Sequence, residues 1–181
     1  KVDAQSTIPD IIIEESTRLD NIITDFLNFA RPRTPDFHPC RIENIIEKNI
    51  AYLSPQMEDN NCKIIKEISD SLPEISADSA MLYQAFLNIL INAFQSLKQN
   101  GFIIIKAKSV TGSIIINFID NGEGVPEDIL KKVWTPFFTT KDTGTGLGLG
   151  IVKNIIEAHN GTINITNEPP KGTNVEIRLP V

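Results

Sequence analysis

The sequence predicts a two-layer α/β sandwich preceded by one long α-helix, on three observations. Apolar residues at 8, 11, 12, 19, 22, 23, 26, 27 and 30 keep a helical period that stops at Arg31-Pro32. Beyond that point short strand-like runs alternate with helical ones, and turn signals separate them. The strands group as antiparallel neighbours with the helices on one face, which favours a sandwich over a doubly wound sheet.

In order, Pro9 suits the first turn of the opening helix, and Glu14, Glu15, Arg18, Asp20 and Asp25 fill its polar side. One amphipathic helix cannot bury its own stripe, so this one needs a partner: the next domain, or another helix. Pro35 and Pro39 mark a short extended linker. The division expected is residues 1–32 and 33–181. Arg41 to about Ser54 reads as a helix, and Lys63–Ile68 and Glu74–Ala77 as short strands. Asp78 is an N-cap for a long helix reaching about Gln99, stopped by Gly101. Phe102–Val110 and Ser113–Asp120 form a hairpin around Thr111-Gly112. Pro126 starts a short helix to about Val133. A glycine-rich loop, a helix to about His159, and strands Thr162–Thr166 and Thr173–Leu179 complete the chain.

The composition narrows the function. Seventeen Lys and Arg against twenty-three Asp and Glu leave a net charge of −6, with no basic run, which argues against nucleic-acid binding. Cys40 and Cys62 stand apart without clustered histidines, so they read as free thiols in a reducing compartment rather than zinc ligands. No apolar run reaches the ~18 residues of a membrane span, and no signal peptide opens the chain. The sequons at Asn160 and Asn164 carry no weight without one. Opening on Lys1 rather than Met, the chain reads as a piece of a longer protein.

Three stretches carry chemistry. In NILINAFQSL, Asn88 and Asn92 lie four apart, about 40° from each other around the helix axis, with Gln84 and Gln95 extending the stripe. The rest of that helix is apolar. A solvent stripe would use Lys, Glu and Arg; neutral amide oxygens suit a hard cation such as Mg²⁺. In FIDNGEG, Asp120 ends a strand, and Gly122 and Gly124 bracket a turn that a flat ring could approach. In WTPFFTTKDTGTGLGLGIV, four of the ten glycines fall within seven residues, just before a helix. Gly144, Gly146 and Gly148 would turn backbone amides toward an oxyanion at that helix start. Lys141 would add a mobile cation, and Trp134, Phe137 and Phe138 would anchor the loop in the core. Neither GxxxxGK[ST] nor GxGxxG is present.

In this order the stretches resemble the boxes of a sensor histidine kinase of two-component signalling, with its GHKL, or Bergerat-type, ATP-binding domain. NILINA resembles the N box, DNGEG the first G box, WTPFFTTK the F box and GTGLGL the second G box; Gly172-Thr173 resembles the closing G box. EESTRLDNIITDFLNFARP resembles the second helix of the dimerisation and histidine-phosphotransfer hairpin. Two departures are Asn160 where Gly is more usual, and Gly150 where Ser or Ala is commoner, a change expected to loosen the helix start.

The resemblance implies ATP and Mg²⁺, with Asn92 as metal ligand and Asn88 assisting. Asp120 would receive the adenine amino group, with Gly122 and Gly124 in the base-binding turn and Thr173 nearby. Lys141 would meet the terminal phosphates, and Thr143, Gly144, Thr145, Gly146, Leu147 and Gly148 would form the lid and its hinge. Asn88 and Lys141 are the expected catalytic residues. His38 and His159 both stand outside any acceptor context, so the phosphorylated histidine is expected on a helix outside these residues. Expected partners are a response-regulator receiver domain and a second copy through the N-terminal helix. The expected location is cytoplasmic, without membrane contact here, and the parent chain's membrane status is left open. The alternatives are a GHKL serine kinase and a non-catalytic ATP-binding or dimerisation module. A GHKL chaperone or topoisomerase ATPase would need a transducer domain for which there is no room.

Overall fold

The computed structural model describes residues 8–30, 33–141 and 144–181. Helix α1 (Ile8–Ala30) is followed by β1 (His38–Cys40), α2 (Ile42–Asp59), β2 (Lys63–Ile68) and β3 (Ile75–Ala77). Next come α3 (Ser79–Ser96), β4 (Phe102–Val110), β5 (Ser113–Asp120) and the short α4 (Glu127–Leu130). Helix α5 (Gly148–Ala158) and strands β6 (Thr162–Asn167) and β7 (Thr173–Pro180) close the chain.

Five strands form one sheet in the order β2-β4-β5-β7-β6. The β4–β5 hairpin has the predicted bounds, and Gly112 at φ +71° supplies the left-handed residue its tight turn requires. Alternate residues of the central strands, among them Ile103, Ile105, Ile116, Phe118 and Ile177, are buried on one face. Helices α2, α3 and α5 cover that face, and the Phe86 and Phe118 rings meet with centroids 5.3 Å apart. Each fully buried Leu, Ile or Phe contributes about 1.5–3 kcal/mol of transfer free energy, so this layer dominates stability. The two-layer α/β architecture is therefore the one the sequence predicts.

Pairing departs from expectation in two places. Strand β2 joins β4 in parallel, Lys63 opposite Phe102, not antiparallel. Parallel neighbours need a crossover, and β3 with α3 provides it. Strand β3 stays out of the main sheet and pairs with β1, His38 opposite Ala77. The expected linker at residues 33–40 is thus partly built into the α/β unit; the Asp36 N–H also donates to Asp78 Oδ2 at 3.1 Å.

Helix bounds differ where packing outweighs local signals. Helix α2 runs through Pro55 to Asp59, past the expected stop at Ser54. Pro55 is exposed, while Leu53 and Met57 are buried, so continuing the apolar stripe offsets one lost backbone bond. Helix α3 ends at Ser96 rather than near Gln99, with Leu97 extended. Of residues 126–133, only Glu127–Leu130 are helical. Asn160 adopts φ +55°, a left-handed conformation asparagine tolerates, which explains how it ends α5 in place of glycine. Gly150 is buried against α1: a Cβ there would sit 3.2 Å from Phe29 Cε2, so the glycine allows close packing of the two helices.

Neither histidine stands as a free nucleophile on a helix face. His38 lies on β1, exposed, 3.2 Å from Asp36 Oδ1. His159 is 3% exposed; its Nε2 accepts the Asp78 N–H at 3.0 Å, and its Nδ1 lies 2.8 Å from the Ile155 carbonyl. Cys40 and Cys62 are both free thiols.

The cap of α3 makes a first prediction. Asp78 Oδ1 accepts the N–H groups of Ala80 and Met81, each at 3.0 Å. Burial pushes its carboxyl pKa up, but these bonds and the one from Asp36 outweigh it and hold the group below its ordinary 3.8. Asp78→Ala should cost about 1–2 kcal/mol at neutral pH. A depressed folded pKa gives stability that is present above the unfolded value and lost as pH falls through the folded one. The gap to wild type in urea melts should therefore close below about pH 4.

Candidate functional site

The site is organised by the polar stripe of α3. Leu82, Ala85, Phe86, Ile89, Leu90 and Ala93 face the core, and the half-buried Asn88 and Asn92 share the other side with Gln95 and Ser96. Lys141 reaches this stripe from the glycine-rich loop. Its Nζ donates to Asn92 Oδ1 at 3.2 Å and to Gln95 Oε1 at 2.6 Å. The residue lies largely at the surface, yet desolvation of its ammonium among uncharged neighbours lowers its pKa. Two neutral amide oxygens thus converge on a cation, and among the described residues no ion pair balances it.

One helical step along, Ser96 brings the stripe to Asp120 at the end of β5. Asp120 is 5% exposed. Its Oδ1 accepts the Gly122 N–H at 2.8 Å and lies 3.1 Å from the Ser96 hydroxyl, which is also 2.7 Å from the Ala93 carbonyl. Thr173, paired with Asp120 across β7, adds its amide and hydroxyl. Burial nevertheless wins over these bonds and raises the Asp120 pKa. Gly122 has no room for a side chain: a Cβ would lie 2.4 Å from Ser96 Oγ and 2.7 Å from Asp120 Oδ1. Gly124 sits at φ +77°.

The loop before α5 folds on itself. The Phe137 N–H donates to the Gly146 carbonyl at 3.1 Å, and Gly146 has φ +68°. A Cβ at Gly146 would meet the Phe137 carbonyl carbon at 2.4 Å, and one at Gly144 the Thr139 hydroxyl at 2.5 Å. Gly148 has open space, so in this conformation no contact requires a glycine there. The Leu147 N–H donates to Thr145 Oγ1 at 3.3 Å, and Leu147 itself is buried. Thr143 lies outside the described residues.

The predicted residues therefore gather as two linked clusters: Asn92 with Lys141, and Asp120 with Gly122 and Thr173. Gly144 and Gly146 make their close contacts within the loop instead. The aromatic anchor is corrected: Phe137 is 59% exposed at φ +64°, its ring 6.5 Å from that of Phe26 on α1, and Trp134 and Phe138 are only half-buried. Sequence reading left two members of the clusters without a role. Gln95 and Ser96 follow Asn92 by three and four residues, a spacing that signals one helix face. An open cleft of about 110 Å³ between residues 98–101, 121–123 and Lys171 borders Gly122, and Asp120 is not part of its lining. Among the described residues, no group of three or more His, Cys, Asp or Glu could hold a metal ion.

A family model for the histidine kinase-, DNA gyrase B- and HSP90-like ATPases matches residues 77–181, more than half of the chain. The chain belongs to that ATPase family. Sensor histidine kinase ZraS of Escherichia coli (strain K12) is 33% identical over 171 residues, which cover 94% of this chain and 37% of ZraS. Sporulation kinase E of Bacillus subtilis (strain 168) is 36% identical over 172 residues, 94% of this chain and 23% of that kinase. Full-length ShkA, solved in complex with AMPPNP, superposes with a TM-score of 0.85 at 26% identity, over 99% of this chain and 40% of ShkA. The chain spans well under half the length of the curated relatives it matches.

In the ATPase domain a buried Asp120 has a consequence for stability. A folded pKa above the ordinary 3.8 contributes stability while the carboxyl is protonated and loses it as pH rises through the elevated value. Asp120→Asn removes that titration. As pH rises from about 4, urea melts of the nucleotide-free proteins should show the stability difference shifting in favour of Asp120→Asn until the folded carboxyl has ionised; a difference constant with pH would contradict the raised pKa.

Proposed function

We propose that the chain is the ATP-binding catalytic core of a sensor histidine kinase, residues 33–181, preceded over residues 1–32 by the second helix of the phosphotransfer hairpin. One observation carries the reading. A single face of α3 sets a cation-holding pair of amides, Asn92 and Gln95, beside the contact to a buried carboxylate, Asp120. The similarity to ShkA, solved with AMPPNP, supports ATP as the ligand.

The residues fit Mg-ATP. The oxygens of Asn92 and Gln95 already accept from an ammonium, the kind of demand a hard cation makes. Gly122 brings bare backbone against Asp120 and Ser96, the close approach that a planar base beside the turn needs. In this reading Asn92, with Asn88, holds Mg²⁺, which when bound neutralises charge on the phosphates. Asp120 accepts from the adenine amino group, with Gly122, Gly124 and Thr173 around the base. Lys141 meets the terminal phosphates, and Thr143, Gly144, Thr145, Gly146, Leu147 and Gly148 form the lid. Phosphoryl transfer is mainly positioning and charge stabilisation, and a phosphate would supply Lys141 with the counter-charge that its amide partners lack.

The γ-phosphoryl acceptor is a histidine outside these residues, and a receiver-domain aspartate takes the group onward. The catalytic core works on the cytoplasmic side; no helix among the described residues is long and apolar enough to cross a membrane. On α1, Ile12, Leu19, Ile23 and Leu27 are more than half exposed, which supports pairing with a second copy in the whole protein.

Asn92→Ala and Asp120→Asn should each weaken Mg-ATP binding by about 100-fold or more in calorimetry, since each removes a partner of a charged or desolvated group; unchanged affinity would sink the site. With labelled ATP, these residues alone should stay unlabelled, and a supplied hairpin helix bearing the histidine should take an acid-labile phosphate. Acid-stable label on serine would favour the serine-kinase alternative. Leu19→Asp or Ile23→Asp should weaken self-association in sedimentation, and an unaltered profile would count against the dimer helix.

A further inference from the structure

Asn167, the last residue of β6, makes two hydrogen bonds to one distant residue. Its Oδ1 accepts the Val125 N–H at 2.8 Å, and its Nδ2 donates to the Val125 carbonyl at 2.8 Å. A side-chain amide here satisfies a backbone donor and acceptor as a neighbouring strand would. The clamped residue directly follows Gly124, whose left-handed φ of +77° ends the Asp120 turn. Asn167 also pairs with Thr173 at the end of the β6–β7 ladder, and Thr173 pairs with Asp120 across β5–β7.

We infer that Asn167 is a positioning residue for nucleobase recognition: it fixes the Gly122–Val125 turn against the strand ends that hold the Asp120 carboxylate. This rests on the reading of Asp120 as the base acceptor. The start of the turn is held by the Gly122 N–H bond to Asp120 and by an exposed Lys98–Glu123 ion pair at 2.8 Å; Asn167 holds its far end. Gly124 has no rotamer to lock, and φ +77° is open to glycine but not enforced by it. The register is tight all the same. A Cβ on Gly124 would lie 3.1 Å from Asn167 Oδ1 and 3.2 Å from the Gly172 carbonyl. Asn167 is exposed, so the two bonds compete with water and add little to global stability. Their effect is local: they hold the turn in the shape that a base must meet, which avoids ordering it during binding.

The test compares wild type, Asn167→Ala and Asn167→Asp, which keeps the acceptor for Val125 N–H but loses the donor. Hydrogen exchange of the Val125 amide in the nucleotide-free protein reads the clamp, and calorimetry with Mg-ATP and with inorganic tripolyphosphate separates base from phosphate. Asn167→Ala should weaken Mg-ATP binding by about tenfold and speed Val125 exchange by a similar factor. Tripolyphosphate affinity and the melting temperature should hardly move, and Asn167→Asp should fall between. Equal losses for Mg-ATP and tripolyphosphate, or Mg-ATP affinity unchanged in Asn167→Ala, overturn the inference. Wild type that fails to bind Mg-ATP overturns the nucleotide reading and this inference with it.

Discussion

Helix α3 can lie buried on the β4–β5 hairpin only because its polar residues are confined to one stripe. Phe86, Ile89, Leu90 and Ala93 fill the interface with the sheet, and the Phe86–Phe118 contact fixes where along the hairpin the helix sits. That placement brings Ser96 within 3.1 Å of Asp120, and Asn92 and Gln95 within reach of Lys141. A rotation of α3 that turned the stripe inward would expose the apolar face to water, at several kcal/mol. Core packing and site geometry are therefore set by one constraint.

Both charged members of the site are held at a cost. Asp120 is desolvated with no cation among its partners in the described residues, and its neutral donors do not offset the burial. Lys141 is desolvated beside neutral acceptors, with no ion pair to it among the described residues. The two imbalances have opposite sign and lie against neighbouring turns of one helix, α3. A ligand with a hydrogen-bond-donating ring at one end and negative charge at the other would relieve both. Groups whose environments oppose their charged forms are more common at functional sites than elsewhere, and two beside one another sharpen that reasoning.

Legibility in the sequence followed locality. The hairpin, α1 and the Asp78 cap were readable because periods, turn residues and caps act within a few positions. The β1–β3 ribbon and the parallel β2–β4 pair were not, since each joins residues some forty apart and no local signal selects the partner. The site divides in the same way. Asn88, Asn92 and the DNG turn announced themselves by spacing. That Lys141 docks on Gln95 and Ser96 on Asp120 depended on contacts 46 and 24 residues apart, which only packing decides. Phe137 misled because an aromatic in a loop suggests core, whereas its left-handed backbone turns it toward α1.

Among the described residues, helix α1 packs on α5 and on the loop before it, which carries Lys141. Phe29 rests on Gly150 in the first turn of α5, where even a methyl group would approach its ring to 3.2 Å. Phe26 meets Phe137, whose N–H closes the loop onto Gly146. The loop is thus bracketed at its start and its end by rings from one helix three residues apart. Because packed contacts of this kind are not continuously deformable, α1 cannot turn about its axis without moving Phe137, Gly150 or both. These contacts join α1 to both ends of the segment that sets Lys141 against Asn92.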